Sequence, residues 1–167
     1  IGFVETLEAI RDSDHYMTPL GPNQGRGVAS GFWFNAAGSS SVTVSVDDAG
    51  GVSLLTGSPD IGGSRASNAL VTAEELGIEL DTIRVAVADT ESVGFNDVTG
   101  GSRTTHATSA VIAIACEELR ADLCSRAALT WSCDAEDVEW SDGCAQRADG
   151  SVPPLSMRDL AGTAART

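Results

Sequence analysis

Two glycine-rich turns constrain this 167-residue chain more than any other feature. Gly57-Ser58-Pro59-Asp60-Ile61-Gly62-Gly63-Ser64-Arg65 lies between a β-branched run and a helical pattern, and Asp97-Val98-Thr99-Gly100-Gly101-Ser102-Arg103-Thr104-Thr105-His106 stands at a second junction of the same kind. Glycine admits positive φ and lets a ligand come close to the main chain. A helix start presents unpaired N–H groups and the positive end of the helix dipole. Each junction is therefore either a seat for an anion or a helix start capped by its own side chains. If the strands feeding them are neighbours, both helix starts can converge on one ligand. Neither turn is a P-loop, since no Gly-Lys-Ser/Thr follows, and neither reads G-x-G-x-x-G.

The elements around these turns predict an α+β fold, a small mixed β-sheet with two main helices packed on one face. Apolar spacing at Phe3, Val4, Leu7 and Ile10 predicts a short helix over Ile1 to Ile10, followed by a polar Ser/Asp/Pro/Gly linker from Asp12 to Gly27. Strands are predicted over Val28 to Phe34, Ser41 to Val46 and Val52 to Thr56, the last two joined by the turn Asp47 to Gly51. The aromatic cluster Phe32-Trp33-Phe34 is assigned to the core or to an interface. Ala66, Ala69, Leu70, Ala73 and Leu76 predict a helix ending at Gly77, after which Ile83, Val85 and Val87 alternate with Arg84, Ala86 and Ala88. A long helix runs from Ser102 to about Ala128, then a hairpin over Val138 to Trp140 and Cys144 to Arg147, and a final helix capped by Ser156 with Asp159 in a capping box. The boundaries are expected at 1–24, an N-terminal helix and linker forming the tail of an upstream segment, and at 25–167, the main module.

Charge and composition exclude several classes. Ten arginines and no lysine stand against 24 acidic residues, a net charge of −14, which argues against nucleic acid or an anionic membrane as partner. The longest apolar run, near Ala107 to Cys116, is too short to span a bilayer; no export signal is visible, which carries little information in a chain starting at Ile1, and the expected location is cytoplasmic. Cys116, Cys124, Cys133 and Cys144 form no C-x-x-C pair and no zinc spacing. Cys116 and Cys124 read as small buried residues, and a Cys133–Cys144 disulfide is left open. His15 and His106 have no nucleophile or carboxylate partner at a triad or metal spacing, so no catalytic residue and no metal ligand is expected in this chain. Arg65 and Arg103 each follow a glycine pair, where a guanidinium can meet an anion or a surface carboxylate. Asp60, Asp89 and Asp97 are expected to cap backbone or to bind ligand hydroxyls.

Thr56 to Ser64, Ala73-Glu74-Glu75-Leu76-Gly77-Ile78, Asp89-Thr90-Glu91 and Thr99 to Thr105, in that order, resemble the molybdopterin-binding large subunit of the molybdenum hydroxylases, the family of xanthine dehydrogenase, aldehyde oxidase and carbon monoxide dehydrogenase. The resemblance covers roughly Gly25 to Leu160. It implies a molybdenum–molybdopterin cofactor in its dinucleotide form, with Ile61, Gly62 and Gly63 lining the metal end and Thr99, Gly100, Gly101, Ser102, Arg103 and Thr104 holding the pterin and pyrophosphate. It also implies hydroxylation of aldehydes or N-heterocycles with water, and partners comprising the rest of the molybdopterin subunit and iron–sulfur and FAD subunits or domains. The xanthine dehydrogenase branch carries glutamine where this chain has Gly63, which counts against purine hydroxylation. The family's catalytic glutamate lies downstream of the matched region, so the chain is expected to be a fragment, inactive alone. The alternative is a non-catalytic binding or assembly domain that keeps the fold without the cofactor.

Overall fold

The computed structural model describes residues 2–34, 37–87 and 89–163, which fall into two compact units, Ile1–Trp33 and Phe34–Thr167. The first holds helix α1 (Phe3–Arg11) and the single turn α2 (Asp14–Met17), started by Ser13, whose hydroxyl accepts from Tyr16 N at 3.2 Å. None of its described residues is buried. The predicted strand over Val28 to Phe34 does not form, and Phe32 is 90% exposed. β propensity becomes a strand only where a ladder forms, and none forms over residues 28–32. Ile1 and Ala88, which the sequence places in a helix and a strand, lie outside the described residues.

The second unit contains the expected mixed sheet. Strands β1 (Val42–Val46) and β2 (Val52–Thr56) pair antiparallel, and β2 pairs parallel with β3 (Ile83–Val87). The register sets Val44 opposite Leu54 and Leu54 opposite Val85, so one row of apolar side chains crosses the sheet on a single face. Asp47 fixes the β1–β2 turn by accepting from Ala49 N and Gly51 N through Oδ1. The parallel pair requires a crossover, supplied by α3 (Ser64–Leu76), which stops at Gly77 with φ +67.

Helix α4 (Thr104–Trp131) lies beside α3. Thr108 bonds Ser58 just ahead of α3, and Arg120 pairs with Glu75 near the end of α3, so the two helices run in the same direction. Leu54, Leu76, Ile112, Cys116 and Leu123 form the core between sheet and helices. Burying each such side chain contributes about 1.5–3 kcal/mol. The buried stripe of α3 is Ser64, Asn68, Thr72 and Leu76, and Leu70, read as a core position, is 56% exposed. The Thr72 hydroxyl is satisfied within its own helix, donating to the main-chain Asn68 O at 2.9 Å.

A second, antiparallel sheet joins β4 (Val138–Ser141), β5 (Cys144–Arg147) and the two-residue β6 (Leu155–Ser156), an element the sequence pattern does not predict. Its hairpin turns at Asp142 and Gly143, both with positive φ. Trp140 Nε1 donates to Leu76 O at 2.8 Å, closing the end of α3. Helix α5 (Met157–Ala161) starts with the expected Ser156–Asp159 capping box and inserts Met157 and Leu160 into the core. All four cysteines are free, so Cys133 and Cys144 are not bridged, and burial pushes the Cys116 thiol up to about 11. Among the described residues no helix is long and apolar enough to cross a membrane.

Candidate functional site

Both glycine turns leave the sheet and open a main helix, and their bases are joined by a polar relay. The Thr108 hydroxyl donates to Ser58 Oγ at 3.0 Å, Ser58 Oγ donates to Asn96 Oδ1 at 3.2 Å, and Asn96 Nδ2 donates to Ser41 Oγ at 3.1 Å and to Gly94 O at 3.0 Å. A β-carbon on Gly57 would sit 2.5 Å from Asn96 Nδ2, so glycine is required where the chain passes under this amide. Sequence reasoning missed Asn96, Ser58 and Thr108. The available signal was the step of four linking Thr104, Thr108 and Ile112, which puts hydroxyls on the same stripe as core residues.

The first turn is closed by its own carboxylate. Asp60 Oδ1 accepts from Gly62 N, Ser64 N and Ser64 Oγ, each at 3.0 Å, and Oδ2 accepts from Arg65 Nε at 3.1 Å. The Gly62 N–H, then the Ser64 hydroxyl, hold the Asp60 carboxyl down to about 2. Arg65 therefore serves Asp60, and the start of α3 already carries a negative charge. Gly62 and Gly63 have φ +118 and +84, and a β-carbon on either would meet nothing within 4 Å. Ile61 projects outward, 62% exposed.

The second turn is open. Gly101 and Ser102 are both left-handed, φ +59 and +57, and bring the chain into α4. Thr99, Gly100 and Ser102 are exposed, and the space beside Gly100 is empty to 4 Å. A recess of about 310 Å³ runs past Phe34, Gly38, Val98, Gly100 and Gly101. Thr104, the first residue of α4, is only 3% exposed, and its Oγ1 has no hydrogen-bond partner; Asn68 Oδ1 on α3 is in the same condition. A buried hydroxyl without a partner is rare and costs about 1–3 kcal/mol. Arg103 is buried too, and its guanidinium turns back toward residues 37–40. Asp97, as expected of a capping residue, accepts from Ser39 N. Asp89 closes a turn of its own, held below the usual carboxylate range chiefly by the Ser92 hydroxyl. His15 and His106 are exposed, and no group of three or more His, Cys, Asp or Glu that could hold a metal occurs among the described residues.

The fold is a small α+β module with two glycine turns opening its main helices. Residues 15–167 match the molybdopterin cofactor-binding domain family, and the chain belongs to that family. It is 31% identical over 118 residues to one subunit of the nicotinate dehydrogenase of Pseudomonas putida, a match covering 70% of this chain and 10% of that protein. Among solved structures it is similar to the reconstituted CO dehydrogenase of Oligotropha carboxidovorans, with a TM-score of 0.67 and 26% identity over 74% of this chain and 16% of that one. The quinoline 2-oxidoreductase of Pseudomonas putida 86 shares the fold, with a TM-score of 0.65 and 23% identity over 75% of this chain and 16% of its own. The chain thus spans a small fraction of the length of each of these relatives.

The residues present fit the family's cofactor. An unpartnered buried hydroxyl, open glycines and a helix start suit an anionic group with many acceptor oxygens.

Proposed function

We propose that this chain is the cofactor-binding module of a molybdenum hydroxylase-type oxidoreductase that acts on aldehydes or N-heterocycles with water as the oxygen source. The observation that carries it is Thr104: in a chain of this family, a buried hydroxyl without a partner stands at an open helix start. Molybdenum–molybdopterin, taken here in its dinucleotide form, supplies the redox chemistry when bound. The chain's own residues bind and orient it. Thr99, Gly100, Gly101, Ser102 and Thr104 receive the pterin and pyrophosphate through N–H and hydroxyl donors, and Ile61, Gly62 and Gly63 line the metal end. The carboxylate of Asp60 disfavours phosphate at the first turn and so sets the cofactor's direction.

In this reading residues 25–167 form the module, and 1–24 is the tail of a preceding segment. Turnover requires the remainder of the subunit, and iron–sulfur and FAD partners carry the electrons away, in the cytoplasm. The likeness to nicotinate dehydrogenase favours an N-heterocycle over an aldehyde. Gly63, where the xanthine dehydrogenase branch has glutamine, favours a second reading, an assembly domain without cofactor. Metal analysis and pterin fluorescence on the complete native subunit separate the two. Stoichiometric molybdenum and pterin are expected there and neither in the isolated chain; absence of both from the complete subunit leaves only the second reading.

A further inference from the structure

The structure assigns Arg103 a positioning role: it clamps the base of the second glycine turn from behind instead of gripping the pyrophosphate. Its side chain is 3% exposed. Nε donates to Ala37 O at 2.7 Å, Nη1 to Asp97 O at 2.9 Å, and Nη2 to Ser39 O at 2.5 Å and Ser40 Oγ at 2.6 Å. Four of the five N–H donors of a guanidinium are thereby used. None of the acceptors is a carboxylate, and Arg103 makes no ion pair among the described residues. A buried cation in such a place persists only when fully hydrogen-bonded, so these oxygens hold the side chain as firmly as it holds them.

The clamp joins segments far apart in sequence, since Ala37 lies 66 residues before Arg103. Asp97 N donates to Ser39 O at 2.9 Å, and Ser39 N returns a bond to the Asp97 carboxylate. Gly38 completes the lock: at φ +60, its added β-carbon would lie 2.7 Å from Asp97 Oδ2 and 2.9 Å from Arg103 Nε. The exposed tip, Val98 to Ser102, is carried on this base. Arg103 thus acts through the backbone of the turn, and a planar fork is needed, because a lysine ammonium cannot reach these divergent acceptors at once.

The inference rests on the cofactor-site reading for its functional arm only. The test compares Arg103→Lys, Gly38→Ala and Ser40→Ala in the complete subunit, prepared with and without cofactor. In the cofactor-free form, amide exchange at Ser39 and Asp97 is expected to rise about tenfold in the first two variants, the factor set by one lost charge-assisted hydrogen bond, and less in Ser40→Ala. Exchange in β4 and β5 should not change. Molybdopterin content should fall roughly tenfold in Arg103→Lys and Gly38→Ala alike, so that retained charge gives no rescue. Arg103→Lys with lowered content but wild-type exchange would show a direct phosphate contact and overturn the clamp, as would full content in Gly38→Ala. Loss of protection throughout β4 and β5 would overturn it in favour of general scaffolding. If the wild-type subunit holds no molybdopterin, the function reading fails while the exchange arm still decides the clamp.

Discussion

The two glycine turns share a sequence pattern and a place in the fold, yet they solve the problem of a helix start in opposite ways. At the first, Asp60 accepts from Ser64 N at the head of α3 and from Gly62 N just before it, so the protein's own carboxylate already stands at the positive end of the dipole. At the second, no side chain of the turn performs that service, Thr104 Oγ1 is left unpartnered, and the nearest cation is committed to main-chain oxygens behind the turn. Helix starts are thus not equivalent anion seats merely because glycines precede them. What separates them is whether the protein already supplies the acceptor.

The largest effect that would break this contrast is steric. Gly100 has open space around an added side chain and no positive φ, so Gly100→Val should fold normally and lose roughly a hundredfold in cofactor content, overpacking of this kind costing up to about 3 kcal/mol. Molybdenum per subunit and the unfolding midpoint check both halves. Thr104→Val should have effects of opposite sign on the two forms. Deleting the orphan hydroxyl should stabilise the cofactor-free protein by about 1 kcal/mol and weaken cofactor retention about tenfold, as read from unfolding curves and dissociation rates. The smallest effect belongs to the first turn. The Asp60 carboxyl is held low by the folded state, so its contribution is present above the ordinary carboxylate range and is lost as pH falls through about 2. Asp60→Asn should remove that acid response at the Gly62 and Ser64 amide resonances and change cofactor content by no more than about twofold.

The sheet was legible because Val42, Val44 and Val46 alternate with Thr43 and Ser45, and Gly77 and Asp142-Gly143 punctuate the chain where glycine geometry requires it. The family was legible from the ordered turns. Elements without local periodicity were not: α2 and β6 are four and two residues long, and residues 28–32 carry strand propensity without a ladder. On α3, hydrophobicity pointed to Leu70 while burial went to Asn68 and Thr72, and of these only the Thr72 hydroxyl is satisfied locally, by the main-chain oxygen four residues back. The contrast between the turns was hidden as well. Asp60 reaches its partners within five residues, but the acceptors of Arg103 at Ala37, Ser39 and Ser40 lie more than sixty residues away and have no motif.

An experimental structure of the complete subunit with its cofactor in place tests the central claim most directly, through what the Thr104 hydroxyl and the main-chain N–H groups of Gly101 and Ser102 touch. The expected result is a phosphate or pterin oxygen within hydrogen-bonding reach of these donors, with Asp60 still on Gly62 and Ser64. A cofactor whose phosphates sit at Gly62 and Gly63 with Asp60 displaced, or a Thr104 hydroxyl still without a partner, would contradict it.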